Sequence, residues 1–316
     1  MSWPLFTLLL AAFAIVAAST SAVVGACLPG LDRATETLAP RHRARAWLLI
    51  AATPALLAGV TVFITLLPAL GLDSEHCLAH SPHHVHLCLD HVDGSPSTTL
   101  LLLASMVVAR GLQTAFALVR ALWLSATTAR TLREGSEHRG DVLVFEAHEP
   151  QAFVLGVMSP RVHASRGLFR LSSEIVAPVI AHERAHARNR DPLWRALCPM
   201  LAAMHLPCVA NRIARRLAMT QEMAADAEAA RELGDPARVA ASLLALARLE
   251  IDAAPGLAFT HGDIEARVHA LVGPPQKIRP WAMLVLTSSL PATIAALAFL
   301  HAPIHHTLES ILGALS

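Results

Sequence analysis

Residues 172–189 read SSEIVAPVIAHERAHARN. Ile175, Val179, His182 and His186 recur at the spacing of one helical stripe, so the stretch predicts an α-helix with these four on its buried face. Ser172 and Glu174 supply start signals and the helix is expected to end near Asn189. Pro178 is awkward inside it and predicts either a kink or a later start. Two histidines four residues apart project from the same face, so both imidazoles can reach one Zn²⁺ at about 2.0–2.1 Å. Glu183 sits one step round the helix, too far off-axis to be a third ligand. It is placed to take a proton from a metal-bound water, the general-base role carried by a His-Glu-x-x-His pattern.

A catalytic zinc needs a third protein ligand and an open position. Downstream, Glu222 and Asp226 stand four apart on one helical face in a stretch rich in Ala and Met. Carboxylates facing an apolar environment need a partner. Glu222 as ligand, with Asp226 bonded to the outer nitrogen of a ligand histidine, satisfies both. The alternative is a solvated helix face with unrelated acids, since Glu228 and Glu232 are nearby.

Around these residues the pattern is strands, then helices. Val142 to Phe145, Ala152 to Leu155 and Val162 to Ser165 are short β-prone runs separated by Pro150, Ser159-Pro160 and Gly167. Asp191-Pro192 reads as an N-cap followed by proline at the first helical position. Pro207 opens a long helix that stops at Gly234, and Pro236 to Glu250 forms another. Such an order implies an α+β domain, expected over 131–279.

The rest of the chain is apolar. Hydrophobic residues make up 54%, charged residues 16%, and there is no tyrosine, which excludes a soluble enzyme, a disordered regulator and a disulfide-stapled secreted domain. Uncharged runs predict membrane spans at about 3–27 and 46–72, a third at 95–120 interrupted by Arg110, and a fourth within 280–316 ahead of a short outer tail. The membrane region is thus 1–130 with an outer loop at 73–96. Arg110 is read either as functional or as snorkelling from a tilted helix. Arg33, Arg41, Arg43 and Arg45 lie between the first two spans, and every other basic residue lies between Arg110 and Arg279. The positive-inside rule then puts both termini outside and the α+β domain in the cytoplasm of a bacterial-type inner membrane. No basic region precedes the first run, so a retained span is favoured over a signal peptide. Arg212, Arg215 and Arg216 read as a solvated or membrane-proximal face, so the expected partners are lipid and protein, with no direct nucleic acid. Cys27, Cys198 and Cys208 read as small buried hydrophobes.

Ala152 to Gly156, Ser159 to Val162, Gly167-Leu168, His182 to Asp191 and Glu222 to Asp226 resemble the BlaR/MecR-type membrane metallopeptidases, as does the four-span layout. The resemblance implies a gluzincin fold, zinc held by His182, His186 and Glu222, Glu183 as base, and Asp226 behind a ligand. It also implies cleavage of a cytoplasmic partner, a winged-helix transcriptional repressor. Those receptors carry an outer penicillin-binding sensor; here Ala302 to Ser316 follows the last span, so β-lactam recognition is not implied. Thr260 to Arg267 is similar to a segment of the HtpX-like membrane zinc peptidases, which degrade damaged membrane proteins. That likeness makes His261 or Arg267 candidates for stabilising a tetrahedral oxyanion. A non-catalytic metal-binding scaffold is a third possibility, against which Glu183 argues, because a structural zinc needs no base.

The outer loop has its own composition. His76, His80, His83, His84, His86 and His91 lie in it, with Cys77 and Cys88. Clustered imidazoles suit Zn, Cu or Ni, and the expectation is a metal-responsive input. The alternative is a polar connector whose histidines titrate near pH 6.5.

Overall fold

A computed structural model describes residues 3–67, 96–253, 261–273 and 280–315. The His-rich loop, with Cys77 and Cys88, lies outside the described residues. Helices α1 (Trp3–Glu36), α2 (Pro40–Thr65) and α3 (Thr98–Glu134) are each long and apolar enough to cross a bilayer. Helix α3 runs unbroken through the boundary expected at residue 130 and leads straight to the first strand.

Strands β1 (Glu137–Arg139), β2 (Val142–Phe145), β3 (Ala152–Leu155) and β4 (Arg161–Ser165) form one sheet in the order β1-β2-β4-β3. Strands β2 and β4 are parallel, and the outer pairs are antiparallel. Strand β1 was not expected, because Glu137-His138-Arg139 is fully exposed and has no apolar alternation. Val142, Val144, Val162 and Ala164 turn to one face and pack on Val179 and Ile180. At Gly156 φ is +94° and a Cβ would meet the Ser159 carbonyl, so only glycine fits that connection.

Helix α4 (Ser173–Asn189) starts at the expected place and continues through the buried Pro178. It ends at Arg190, which takes the left-handed conformation (φ 56°, ψ 38°) and turns the chain directly into α5 (Asp191–Leu201). Asp191 is therefore the first residue of α5 and not its cap. Helix α6 (Pro207–Leu233) stops at left-handed Gly234, followed by α7 (Pro236–Ala253) and α8 (His261–Val272). Helix α9 (Pro280–Phe299) occupies the stretch expected as a fourth span. The stretch expected as a short tail forms a helix, α10 (His301–Leu315), whose Leu308 and Leu312 pack on Leu5, Leu8 and Leu9 of α1.

Helices α1 and α2 share one core with α5 and α6. Leu28 of α1 and Trp47, Ile50 and Ala51 of α2 pack with Cys198, Val209, Ile213 and Leu217 of α5 and α6. The corner between α5 and α6 is tied in by polar groups. His205 Nε2 lies 3.1 Å from the Ile50 carbonyl and Nδ1 lies 3.1 Å from Ser21 Oγ. A carbonyl only accepts, so the proton sits on Nε2. Arg110 Nη2 donates to the Ala203 carbonyl at 3.2 Å. This satisfies a helix-end carbonyl that would otherwise be orphaned beside apolar helices. Arg110 is thus tied to the corner between α5 and α6. Cys198 is buried as expected, but Cys27 and Cys208 are exposed.

Candidate metal centre

Helices α4 and α6 meet through alanines. Ala181, Ala185, Ala225 and Ala229 are each at most 1% exposed, and with methyl side chains the two backbones approach closely. His182 and His186 then face Glu222 and Asp226, each pair one helical turn apart. His182 Nε2 and His186 Nε2 are 3.0 Å apart. Glu222 Oε2 is 3.3 Å from the former, and Oε1 is 3.5 Å from the latter. A tetrahedral ion with bonds of about 2.0–2.1 Å would set its ligands about 3.3 Å apart. These three residues fit a zinc ion, and among the described residues they are the cluster able to hold a metal.

Both imidazoles are held from behind. His186 Nδ1 lies 2.6 Å from Asp191 Oδ2, and His182 Nδ1 lies 2.8 Å from Asp226 Oδ1. The second is an ion contact off the line of the ring N–H, not an aligned hydrogen bond. Carboxylates in these positions fix which nitrogen faces the metal and raise its basicity. Asp226 is clamped in turn by Arg267 of α8, whose Nε and Nη2 donate at 2.7 and 2.8 Å. Arg267 Nη1 also reaches Glu222 Oε2 at 3.2 Å. From α5, Arg195 donates to Gln221 at 2.9 Å and to Glu222 Oε1 at 2.6 Å.

The charges favour a cation at the centre. Four carboxylates (Glu183, Asp191, Glu222 and Asp226) stand against two guanidiniums (Arg195 and Arg267). Burial disfavours charge on Glu222, yet hydrogen bonding from His182 and His186 outweighs it and holds the carboxyl far below the usual range. Burial also opposes a charged His182, but Asp226 and Glu222 lift it to about 9. His186 moves up likewise, through Asp191 and Glu222. Glu183 is pushed up by burial, against the pull of His182 and His186. Positive charge is thus stabilised there, whether as protons on imidazole or as a metal ion.

The expected residues His182, His186, Glu222, Asp226, Glu183 and Arg267 come together. His261 opens α8, and its side chain lies outside the described residues. Arg267 is engaged with carboxylates on three nitrogens, Nε, Nη1 and Nη2. Asp191, Arg195 and Gln221 were not anticipated as parts of the centre. The Asp191 signal was present, five residues beyond His186, but needs a left-handed corner to be read. For Arg195 and Gln221 there was no local signal.

Residues 119–274, from within α3 to just past α8, match the model of peptidase family M48. Comparison with curated proteins and with solved structures gives no match. The match to peptidase family M48 over residues 119–274 thus takes in His182, His186 and Glu222, in a chain with three helices long and apolar enough to cross a membrane.

Proposed function

We propose that the protein is a membrane zinc-dependent endopeptidase acting on protein substrates. The observation that carries this reading is the convergence of His182, His186 and Glu222 at 3.0–3.5 Å, with a carboxylate behind each imidazole. Zinc bound there supplies Lewis acidity, which polarises a peptide carbonyl and acidifies water. Glu183 accepts the proton of the attacking water and delivers it to the leaving nitrogen. Arg267 and Asp191 are positioning residues that fix Asp226 and His186. The arginine distribution supports a cytoplasmic catalytic domain, with α9 as a fourth span and both termini outside.

Strand β4 is interior; β2 and β3 flank it. Strand β3 is the edge that packs against α4, so we place the substrate there, by strand addition. Ser165 N donates to Gln151 O at 2.8 Å. By antiparallel alternation Ala152 and Val154 then turn their backbone groups to the open edge.

The resemblance at Ser159 to Val162 supports a signalling protease that cuts a cytoplasmic repressor. The seat of Arg267 favours a second reading, removal of damaged membrane proteins, because Arg267 belongs to the segment that resembles the HtpX-like peptidases. Proteomes of cells with the wild type and with Glu183→Gln separate the two. One accumulating DNA-binding regulator supports signalling, and many membrane proteins support quality control. Identical proteomes count against a protease.

A further inference from the structure

A cavity of about 620 Å³ opens between α2 and the corner joining α4 to α5. Its wall is cationic at one end, with Arg41, Arg45 and Arg190, and apolar at the other, with Leu48, Leu49 and Leu201. Arg188, also in the wall, is engaged at 2.9 Å by Glu228 and by Glu232. Among the described residues no carboxylate pairs with Arg41, Arg45 or Arg190, and the one carboxylate in the wall, Asp191, is committed to His186. Four guanidiniums therefore share this space, three of them unneutralised.

The two ends differ in membrane depth. Arg41 and Arg45 stand one turn apart on α2, just before the uncharged run that starts at Ala46. Leu48, Leu49 and Ala52 lie about 5–11 Å further along the same helix, inside that run. Trp194, an amphipathic ring favoured at membrane interfaces, lines the cavity and is 38% exposed. A ligand that fills this space carries negative charge at headgroup level and hydrocarbon beyond it. The geometry points to a binding site for one anionic phospholipid, its phosphate against Arg41, Arg45 and Arg190 and an acyl chain along Leu48, Leu49 and Leu201. The occupant would sit behind Asp191 and so next to the residue that orients a metal ligand, yet the site rests on the membrane reading alone and not on catalysis.

The test uses the full chain in nanodiscs of equal parts phosphatidylcholine and phosphatidylglycerol, with bound lipid counted by native mass spectrometry. The wild type is expected to retain one phosphatidylglycerol preferentially. Arg41→Gln with Arg45→Gln should reduce that retention about tenfold or more, while Arg41→Lys with Arg45→Lys keeps most of it. Arg212→Gln with Arg215→Gln, which removes as much charge outside the cavity, should change nothing. Equal loss in that control would reduce the effect to diffuse attraction and overturn the site. So would a wild type that retains neither lipid preferentially, or thermal protection by inorganic phosphate equal to that by phosphatidylglycerol. Ala52→Leu, which narrows the apolar end without touching charge, should also lower retention; unchanged retention there would remove the acyl-chain half of the site.

Discussion

Asp191 Oδ2 stands 2.6 Å from His186 Nδ1, five positions earlier in the chain. Helix α4 would carry Asp191 on past His186; the left-handed turn at Arg190 folds it back instead. Arg190 is the one non-glycine residue with positive φ among the described residues, a conformation that costs an L-residue about 1–2 kcal/mol. The strain sits where a carboxylate is brought behind a metal ligand.

Asp191→Asn keeps the shape but loses the charge that makes the His186 imidazole basic. Zinc affinity, measured by competition with a chromogenic chelator, should fall about 10–100-fold. Unchanged affinity would show that Asp191 only starts α5.

Arg267→Gln removes the clamp from Asp226, which is 1% exposed, and from Glu222. Asp226 keeps His182 and Glu222 keeps Arg195, so losing the charge-assisted bonds should destabilise the protein by about 1.5–3 kcal/mol, read as a lowered thermal midpoint. Arg267→Lys should recover only part of this, since an ammonium cannot donate bidentately along a carboxylate. A full recovery would mean that bulk charge, not the fork, is what α8 supplies.

The sheet makes a paired prediction. Ala164→Pro breaks the ladder of the interior strand β4 and should unfold the domain. Val154→Pro removes an N–H that faces the open side of β3, so the fold should persist while the KM for peptide rises. If Val154→Pro left peptide turnover untouched, substrate would not be adding to β3.

A fragment of residues 131–279, cut at the boundary the sequence suggests, should not fold to a zinc-binding state. It would expose Val209, Ile213 and Leu217, which pack on α1 and α2 in the whole chain, and free His205 from Ser21 and Ile50. A soluble fragment with stoichiometric zinc and a cooperative melting transition would contradict this shared core.

What was legible in the sequence is what is local. His182, His186, Glu222 and Asp226 were readable because a helix turns a four-residue spacing into a shared face, and three strands announced themselves by β-branched runs. Strand β1 was not, because a fully exposed Glu-His-Arg triplet has no apolar face to show. The interior place of β4 was not legible, because its parallel pairing with β2 skips over β3, which lies between them in the chain. The anchoring of Arg110 on Ala203 and the α5–α6 corner between α1 and α2 depend on contacts across about a hundred residues or more, which periodicity does not carry. Arg267 was singled out, but its partner Asp226 became visible only when α8 met α6.

The central claim is that His182, His186 and Glu222 hold a catalytic zinc and that Glu183, outside the ligand set, moves the proton. Zinc content and cleavage of an unfolded protein such as casein, measured on the same purified samples, test it most directly. The wild type should hold about one zinc and cleave; Glu183→Gln should hold the same zinc and lose cleavage by a factor of about 10²–10⁴ or more; His182→Ala and Glu222→Ala should lose both. Undiminished cleavage by Glu183→Gln, or full zinc in Glu222→Ala, would contradict the account.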